Sequence, residues 1–338
     1  MTKRVLIVKL AALGDVIMAS TLVPAIRARQ PDAEITWVVG EGTAPLVKLF
    51  SGVDRVISVN ENALFKRGKI SSMRTIARAW RAVGRGYELA LIAHTDARYT
   101  TLGWVAGANV THRFADGRAP RRGRWHGAEY LRLLDIDENA VEPPYAEFRA
   151  DLLPSAPHVE GTGPLIVLAP GGGRNVLRDD PLRRWPIAYW LVVVRALVAR
   201  GYRVVAVGAT ADNAEGAACA EAGASDLTGR TSLLELAALI HVADAVVTHD
   251  SGTLHLALLL DRPTVALFGP TAPEERIPVA ASVVALHKTD DLSCAPCFDG
   301  FGYAECALNL CLTRVSTAEV IQAVEQQLKS PHAFARPV

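Results

Sequence analysis

No stretch of about 18 uncharged apolar residues occurs in this 338-residue chain, which argues against a membrane-spanning helix. Neither sign of charge is in excess. Lys and Arg number 36 against 35 Asp and Glu, a net of +1, so bulk charge gives no ground for a nucleic-acid partner. Cysteine is scarce, and four of the five fall within residues 294–311, unlike a disulfide framework spread over a small secreted fold. The opening Lys3-Arg4, apolar run and Ala19-Ser20 imitate a secretory signal, but Lys9 and Asp15 interrupt that run. It reads instead as a strand and a helix start, and a reducing cytoplasm is the expected setting. Two phosphate-binding fingerprints are also missing. No Gly-Lys-Ser/Thr follows the glycines at 171–173, and no Gly-x-Gly-x-x-Gly follows the first strand, which disfavours an NAD-dependent enzyme. No His/Glu group has the spacing of a catalytic metal site.

What is present is a folded α/β chain. Apolar residues make up 50% and charged residues 21%, and the length suits two domains with a core each. Short apolar runs alternate with helical periodicity. Strands are predicted at 5–8, 34–39, 55–59 and 88–93, with helices at 15–29, 44–50, 71–85 and 98–106. The plan repeats, with strands at 164–169, 203–207, 245–248, 264–268 and 283–286. Its helices lie at 187–200, from 213, at 233–241, 253–260 and 317–328. Residues 151–164, rich in Pro and Gly, have a linker's composition. The expected fold is two doubly wound Rossmann-like domains, residues 1–155 and 163–328, facing each other across a cleft. Ligands in such sheets sit beyond the carboxyl ends of the strands.

The strand ends carry the chemistry. Thr248-His249-Asp250-Ser251-Gly252 ends an apolar run and opens a helix, where unpaired N–H groups favour an anion, and His255 lies one helical turn on. An ordinary N-cap at Asp250 or Ser251 is the competing reading. Gly269 marks a second turn. After the first strand, Gly14 permits a tight turn and Asp15 begins a helix, either as a favourable N-terminal charge or as a general base. Gly171, Gly172 and Gly173 let a backbone approach a ligand, and Arg183 and Arg184 are either solvated cations or bidentate partners of a diphosphate. Asp135-Ile-Asp137 has the form of a metal-holding pair but reads as a solvated turn. Cys294, Cys297, Cys306 and Cys311 are spaced to hold a structural zinc or iron, to remain reduced packing residues, or to form an adventitious disulfide. Arg74, Arg78, Arg81 and Arg85 recur on one helix face, and Arg113, Arg118, Arg121, Arg122 and Arg124 form a second basic stretch. Together they are either solvated surface or a place for an anionic acceptor near a membrane.

Taken together, Gly14-Asp15-Val16, Arg183-Arg184-Trp185-Pro186, Leu227-Thr228-Gly229, Ser232-Leu-Leu-Glu-Leu, Asp250-Ser251-Gly252 with His255, and Phe268-Gly269-Pro270-Thr271 resemble the family 9 glycosyltransferases. That group includes the lipopolysaccharide heptosyltransferases. The resemblance implies a GT-B architecture, with the acceptor on the first domain and the nucleotide-sugar on the second. It implies inverting transfer of heptose from ADP-heptose to a lipopolysaccharide-core or related anionic glycan or glycolipid acceptor, with no cofactor required for catalysis. Asp15 would be the general base and Arg183, commonly lysine in the family, would stabilise the leaving diphosphate. Donor contacts would come from Gly171, Gly172, Arg183, Arg184, Gly208, Asp250, Ser251, Gly252 and His255, and acceptor contacts from Arg74, Arg78, Arg121 and Arg122. Peripheral contact with the inner membrane would fit such an acceptor. The rival readings are a member acting on a protein or small-metabolite acceptor, and a catalytically silent nucleotide-sugar binding module.

Overall fold

The structure is a computed structural model that describes residues 3–60, 69–137, 143–172, 179–279, 281–299 and 302–329. The chain divides into two compact units, Met1–Leu152 and Leu153–Val338. Gly173, the last of the three-glycine run, lies outside the described residues, as does the side chain of Met73.

The first unit holds a five-stranded sheet in the order β3-β2-β1-β4-β5. Its strands are β1 (Arg4–Val8), β2 (Glu34–Gly40), β3 (Arg55–Val59), β4 (Leu89–Ile92) and β5 (Val110–Arg113). All neighbours run parallel, with Val5 opposite both Ile35 and Leu89. β1 is central and therefore covered on both faces, which is why Val5–Val8 is a continuous buried apolar run and not an alternating one. The helix predicted at 15–29 is two helices, Leu13–Ala19 and Leu22–Arg29. Buried Ser20 and Thr21 explain the break. The Thr21 hydroxyl donates to the Gly127 carbonyl at 2.7 Å, and the Ser20 hydroxyl accepts from the Ala146 N–H at 3.2 Å. Both side chains are spent on remote segments, so the backbone turns to aim them.

The second unit holds a six-stranded sheet, β11-β10-β9-β6-β7-β8. Its strands are β6 (Leu165–Ala169), β7 (Arg203–Ala206), β8 (Ser225–Asp226), β9 (Ala245–His249), β10 (Thr264–Phe268) and β11 (Val283–His287). These too are parallel. The core gathers Ile166, Leu168, Val193, Val194, Leu197, Val247 and Val265 around Trp185 and Trp190, whose rings meet edge to face at 5.5 Å. Two helices begin with reciprocal caps, Ser232 with Glu235 and Ser316 with Glu319, each worth about 1 kcal/mol.

β5 and β8 went unread in the sequence. β5 (Val-Thr-His-Arg) is a half-exposed edge strand and β8 only two polar residues, so neither has the apolar run of a central strand. The orders place a topological switch point between β1 and β4 in the first unit and between β6 and β9 in the second. In open α/β sheets these are the crevices where ligands bind. No helix among the described residues is long and apolar enough to cross a membrane.

Candidate functional site

At the second unit's switch point two turns meet. β6 leads into Gly171–Gly172 and β9 into Asp250–Ser251, with Ala169 opposite Thr248 in the pairing register. Gly172 has φ +110°, and a Cβ there would stand 3.5 Å from the Ser251 Cβ, so the turns touch and the glycine is required by its backbone. Ser251 precedes the Gly252–Leu259 helix, but its hydroxyl pairs with that of Thr248 at 3.1 Å and makes no cap bond to the helix. The first-turn N–H groups of Gly252 and its followers therefore have no side-chain cap, the condition that favours an anion there.

Asp250 is 3% exposed and gathers cations. Its carboxylate lies 3.0 Å from the Arg183 guanidinium, 3.5 Å from that of Arg276 and 3.9 Å from the His255 imidazole. Burial pushes this carboxyl up, but Arg183 and Arg276, aided by His255 and the Thr271 hydroxyl, outweigh it and bring it down to about 2. Arg183 also donates to the Asp250 carbonyl. Asp250 thus holds two guanidiniums at the turn, and it orients the groups that would meet an anion. Arg184 serves the turn itself: it donates to the Gly172 carbonyl at 2.8 Å and pairs with Asp179.

The Gly208 turn after β7 joins through Asp212, which is 5% exposed and accepts from the Ala209 N–H at 2.9 Å. A Cβ on Gly171 would fall 2.3 Å from the Asp212 carboxylate, and one on Gly208 within 2.8 Å of it. Gly171→Ala should therefore cost about 1–3 kcal/mol by overpacking, read as a lower urea midpoint at unchanged m-value. A midpoint equal to the parent's would mean that Asp212 moves aside without cost.

His249 escaped the sequence reading. Fully buried, it presents Nδ1 to the Gly171 carbonyl at 2.8 Å, and its Nε2 accepts the Trp185 N–H at 2.8 Å. Burial holds its pKa at about 4. Arg276 was missed as well, because it sits eight residues beyond Phe268 in a turn with no motif of its own, and only the fold brings it to Asp250.

In the first unit's switch point, the Leu10 N–H donates to His94 Nε2 at 3.0 Å, and His94 stacks on Tyr99 at 4.0 Å. Burial, with the Lys9 ammonium beside it, lowers the His94 pKa well below the usual imidazole range against the opposing pull of Asp15 and Asp96. Asp15 lies in the first turn of the Leu13–Ala19 helix, with its side chain 37% exposed. It pairs at 3.0 Å with Lys9, whose side chain is 8% exposed and whose ammonium sits 5.9 Å from the Tyr130 ring. A partly exposed carboxylate, fixed from behind by a buried cation, can take a proton from a bound hydroxyl.

The basic stretches separate. Arg74 and Arg78 are exposed on the Lys69–Val83 helix, whose other side buries Ala79 and Val83. The Arg121 loop is largely compensated by acidic residues within the unit. Arg121 pairs with Glu129 at 2.8 Å and Asp137 at 2.5 Å, Arg124 pairs with Glu129 at 3.0 Å, and Arg118 pairs with Asp135 at 2.7 Å. Glu129 is 1% exposed, so these arginines first serve a buried carboxylate. Arg122 is exposed in the same loop. The acidic pair Asp135 and Asp137 is taken up by these arginines.

The cysteine segment brings Cys294, Cys297 and Cys306 close enough to act electrostatically on Cys311. All four thiols are free, with Cys294 and Cys306 exposed, Cys297 half-buried and Cys311 buried. Among the described residues no group of three or more His, Cys, Asp or Glu is arranged to hold a metal ion. Cys311 is turned inward by the Leu310–Thr313 helix, within 3.5 Å of where a Gly269 Cβ would be, and burial pushes its thiol up to about 11. Its thiol donates to the Asn309 side-chain oxygen at 3.5 Å. Cys219 is likewise buried.

Comparison with known proteins agrees with this architecture. The family described as Glycosyltransferase family 9 (heptosyltransferase) matches residues 124–306, more than half of the chain. Lipopolysaccharide heptosyltransferase 1 of Pseudomonas aeruginosa is 29% identical over 98% of this chain and 99% of its own length. Lipooligosaccharide heptosyltransferase 2 of Haemophilus influenzae is 24% identical over 83% of this chain and 88% of its own. Among solved structures, the glycosyl transferase family 9 protein of Veillonella parvula superposes with a TM-score of 0.75 at 21% identity, covering 96% of this chain and 97% of that one. The E. coli heptosyltransferase WaaC with ADP gives 0.72 at 20% identity, covering 96% and 99%. At such identities the structures speak for the fold alone, two Rossmann-like domains of GT-B type. The sequence match over residues 124–306 and the paired doubly wound sheets lead to one conclusion: the chain belongs to glycosyltransferase family 9, the heptosyltransferases.

Proposed function

We propose that the protein transfers heptose from ADP-heptose to a lipopolysaccharide-core or related surface-glycan acceptor, with inversion at the anomeric carbon. The observation that carries this reading is the second unit's switch point, where two touching turns gather uncapped helix N–H groups and two buried guanidiniums around Asp250. That is the equipment for a diphosphate, and the leaving group of the reaction is a diphosphate. The names of the heptosyltransferase relatives, and the ADP in the E. coli structure, support an adenine-nucleotide donor.

In this reading the acceptor oxygen attacks the anomeric carbon as the bond to the diphosphate breaks. The electron pair leaves with ADP, and the hydroxyl proton passes to the Asp15 carboxylate. The transition state has oxocarbenium character, and positive groups already in place at the diphosphate lower its energy without reorganising. Arg183, fixed by Asp250, is assigned that work together with the Ser251–Gly252 turn. Written so, the displacement needs no metal, because the charge that develops is met by arginine and backbone N–H. Acceptor contacts at the inner membrane are assigned to Arg74 and Arg78, exposed on one helix, and to Arg122, exposed in the Arg121 loop.

Calorimetric titration with ADP, ADP-heptose, UDP and GDP tests the donor. Micromolar binding of the adenine compounds, at least tenfold tighter than of UDP or GDP, is the expected result. Preference for UDP or GDP would reject heptose while keeping the displacement. No binding by any of them would favour a silent module.

A further inference from the structure

Both switch points contain an imidazole that accepts a backbone N–H, half-buried His94 from Leu10 and buried His249 from Trp185. His249 does more, because its second nitrogen also reaches backbone. It sits at the last position of β9, one residue before Asp250. Its Nε2 must be unprotonated, since an amide N–H points at it, so the ring proton is on Nδ1 and is donated to the Gly171 carbonyl. That arrangement ties three segments that are far apart in sequence: the glycine turn after β6, the Arg183–Trp185 segment, and the turn after β9. The ring's face is closed by Trp190, edge to face at 5.3 Å, so the imidazole has no freedom to turn. The groups that bear on its charge are Arg183, Arg184 and Asp250, two cations and one anion.

The consequence follows from where its partners lie. Gly171 precedes the glycine that touches Ser251, and Trp185 follows the two arginines that hold Asp250 and the Gly172 carbonyl. A shift of either segment changes the distance between the guanidinium of Arg183 and the N–H groups of the turn. We propose that His249 is a positioning residue of the donor site, a fixed strut with one donor and one acceptor that sets the spacing between the glycine turn and the arginine segment for a nucleoside diphosphate. The proposal rests on the donor reading given above.

The test has two arms on the full chain. In the first, nitrogen-15 NMR of labelled histidine should show, besides the His94 ring, a ring with a pyrrole-type Nδ1 and a pyridine-type Nε2. Lost in the His249→Asn protein, that pair should stay unprotonated at Nε2 from pH 8 down to 5.5 and shift at both nitrogens when ADP is added. A ring that titrates in the ordinary range, carries its proton on Nε2, or ignores saturating ADP overturns the proposal, and none of these readouts requires a variant as stable as the parent. In the second, ADP affinity is measured for His249→Asn, which can keep the bond to Gly171, and for His249→Gln, which can accept from Trp185. Each should bind ADP 10- to 100-fold more weakly than the parent while still unfolding cooperatively. Folded variants that bind ADP within twofold of the parent would remove His249 from the site and leave the donor reading intact. A parent protein that does not bind ADP at all would remove the donor reading, and this proposal with it.

Discussion

Replacing Asp15 by Asn is expected to lower turnover by about 10²- to 10⁴-fold while the affinity for ADP changes by less than about twofold. The substitution keeps the shape of the side chain and an oxygen for Lys9 at 3.0 Å, but it removes the carboxylate proposed above to take the proton. A sugar hydroxyl attacking without a base would develop positive charge on oxygen, which raises the barrier to displacement. Donor binding should be spared because the assigned donor contacts belong to the second sheet and Asp15 to the first. The assay combines ADP-heptose with deacylated lipopolysaccharide core oligosaccharide, and calorimetry supplies the ADP affinity. Turnover within about tenfold of the parent would take Asp15 out of the base role. A parallel loss of ADP affinity would show that Asn disturbs the fold instead.

The largest effect on stability is expected from Asp250→Asn. The carboxylate is the shared counter-ion of two guanidiniums, Arg183 at 3.0 Å and Arg276 at 3.5 Å, in a site where both arginines are largely buried. Removing it leaves Arg183 with Asp180 at 4.0 Å as its other carboxylate neighbour. Breaking a buried pair from one side costs about 3–5 kcal/mol, because the remaining charge has lost both water and partner. For a unit of this size that lowers the melting temperature by on the order of 10 °C. The same variant should lose ADP affinity, since the guanidiniums are no longer aimed. An Arg183→Met background should shrink the cost of Asp250→Asn, because one fewer charge is then stranded, and simple additivity would contradict the coupling.

The pH dependence carries the same sign. Asp250 has a folded pKa of about 2, below its ordinary value of 3.8, so the folded state binds the proton less readily than the unfolded chain. Its contribution is complete above about pH 4 and is lost as the pH falls toward 2, and Asp250→Asn should flatten that part of the acid-stability curve.

The stretches legible in the sequence share a physical cause. A central parallel strand is buried on both faces, so β1, β6, β9 and β10 announce themselves as apolar runs, and the turns behind them need Gly, Ser or Asp for backbone reasons. Asp15, Gly171, Gly172, Asp250 and Ser251 all lie within such turns or just after them, which is why local reading reached them, and Arg183 was reached as part of the cation pair ahead of a helix. The edge strands β5 and β8 have no such signal, since their pairing is a property of the neighbouring strand and not of their own composition. Helix breaks are similarly hidden: Ser20 and Thr21 turn the chain because Ala146 and Gly127 need their hydroxyls.

Sequence by itself therefore determined the alternation of strand and helix in both halves and the turns behind the central strands, because backbone conformation and strand burial are local constraints. Tertiary structure alone decided what the charged and aromatic residues do there. It made Asp250 the holder of Arg183 and Arg276 and spent the Arg121 loop on buried Glu129. It also put Lys9 behind Asp15 and used His249 to join Gly171 to Trp185. These roles depend on partners 6 to 78 residues away that share no pattern with them, and Coulomb attraction and hydrogen bonding act on distance in space, which only the folded chain defines.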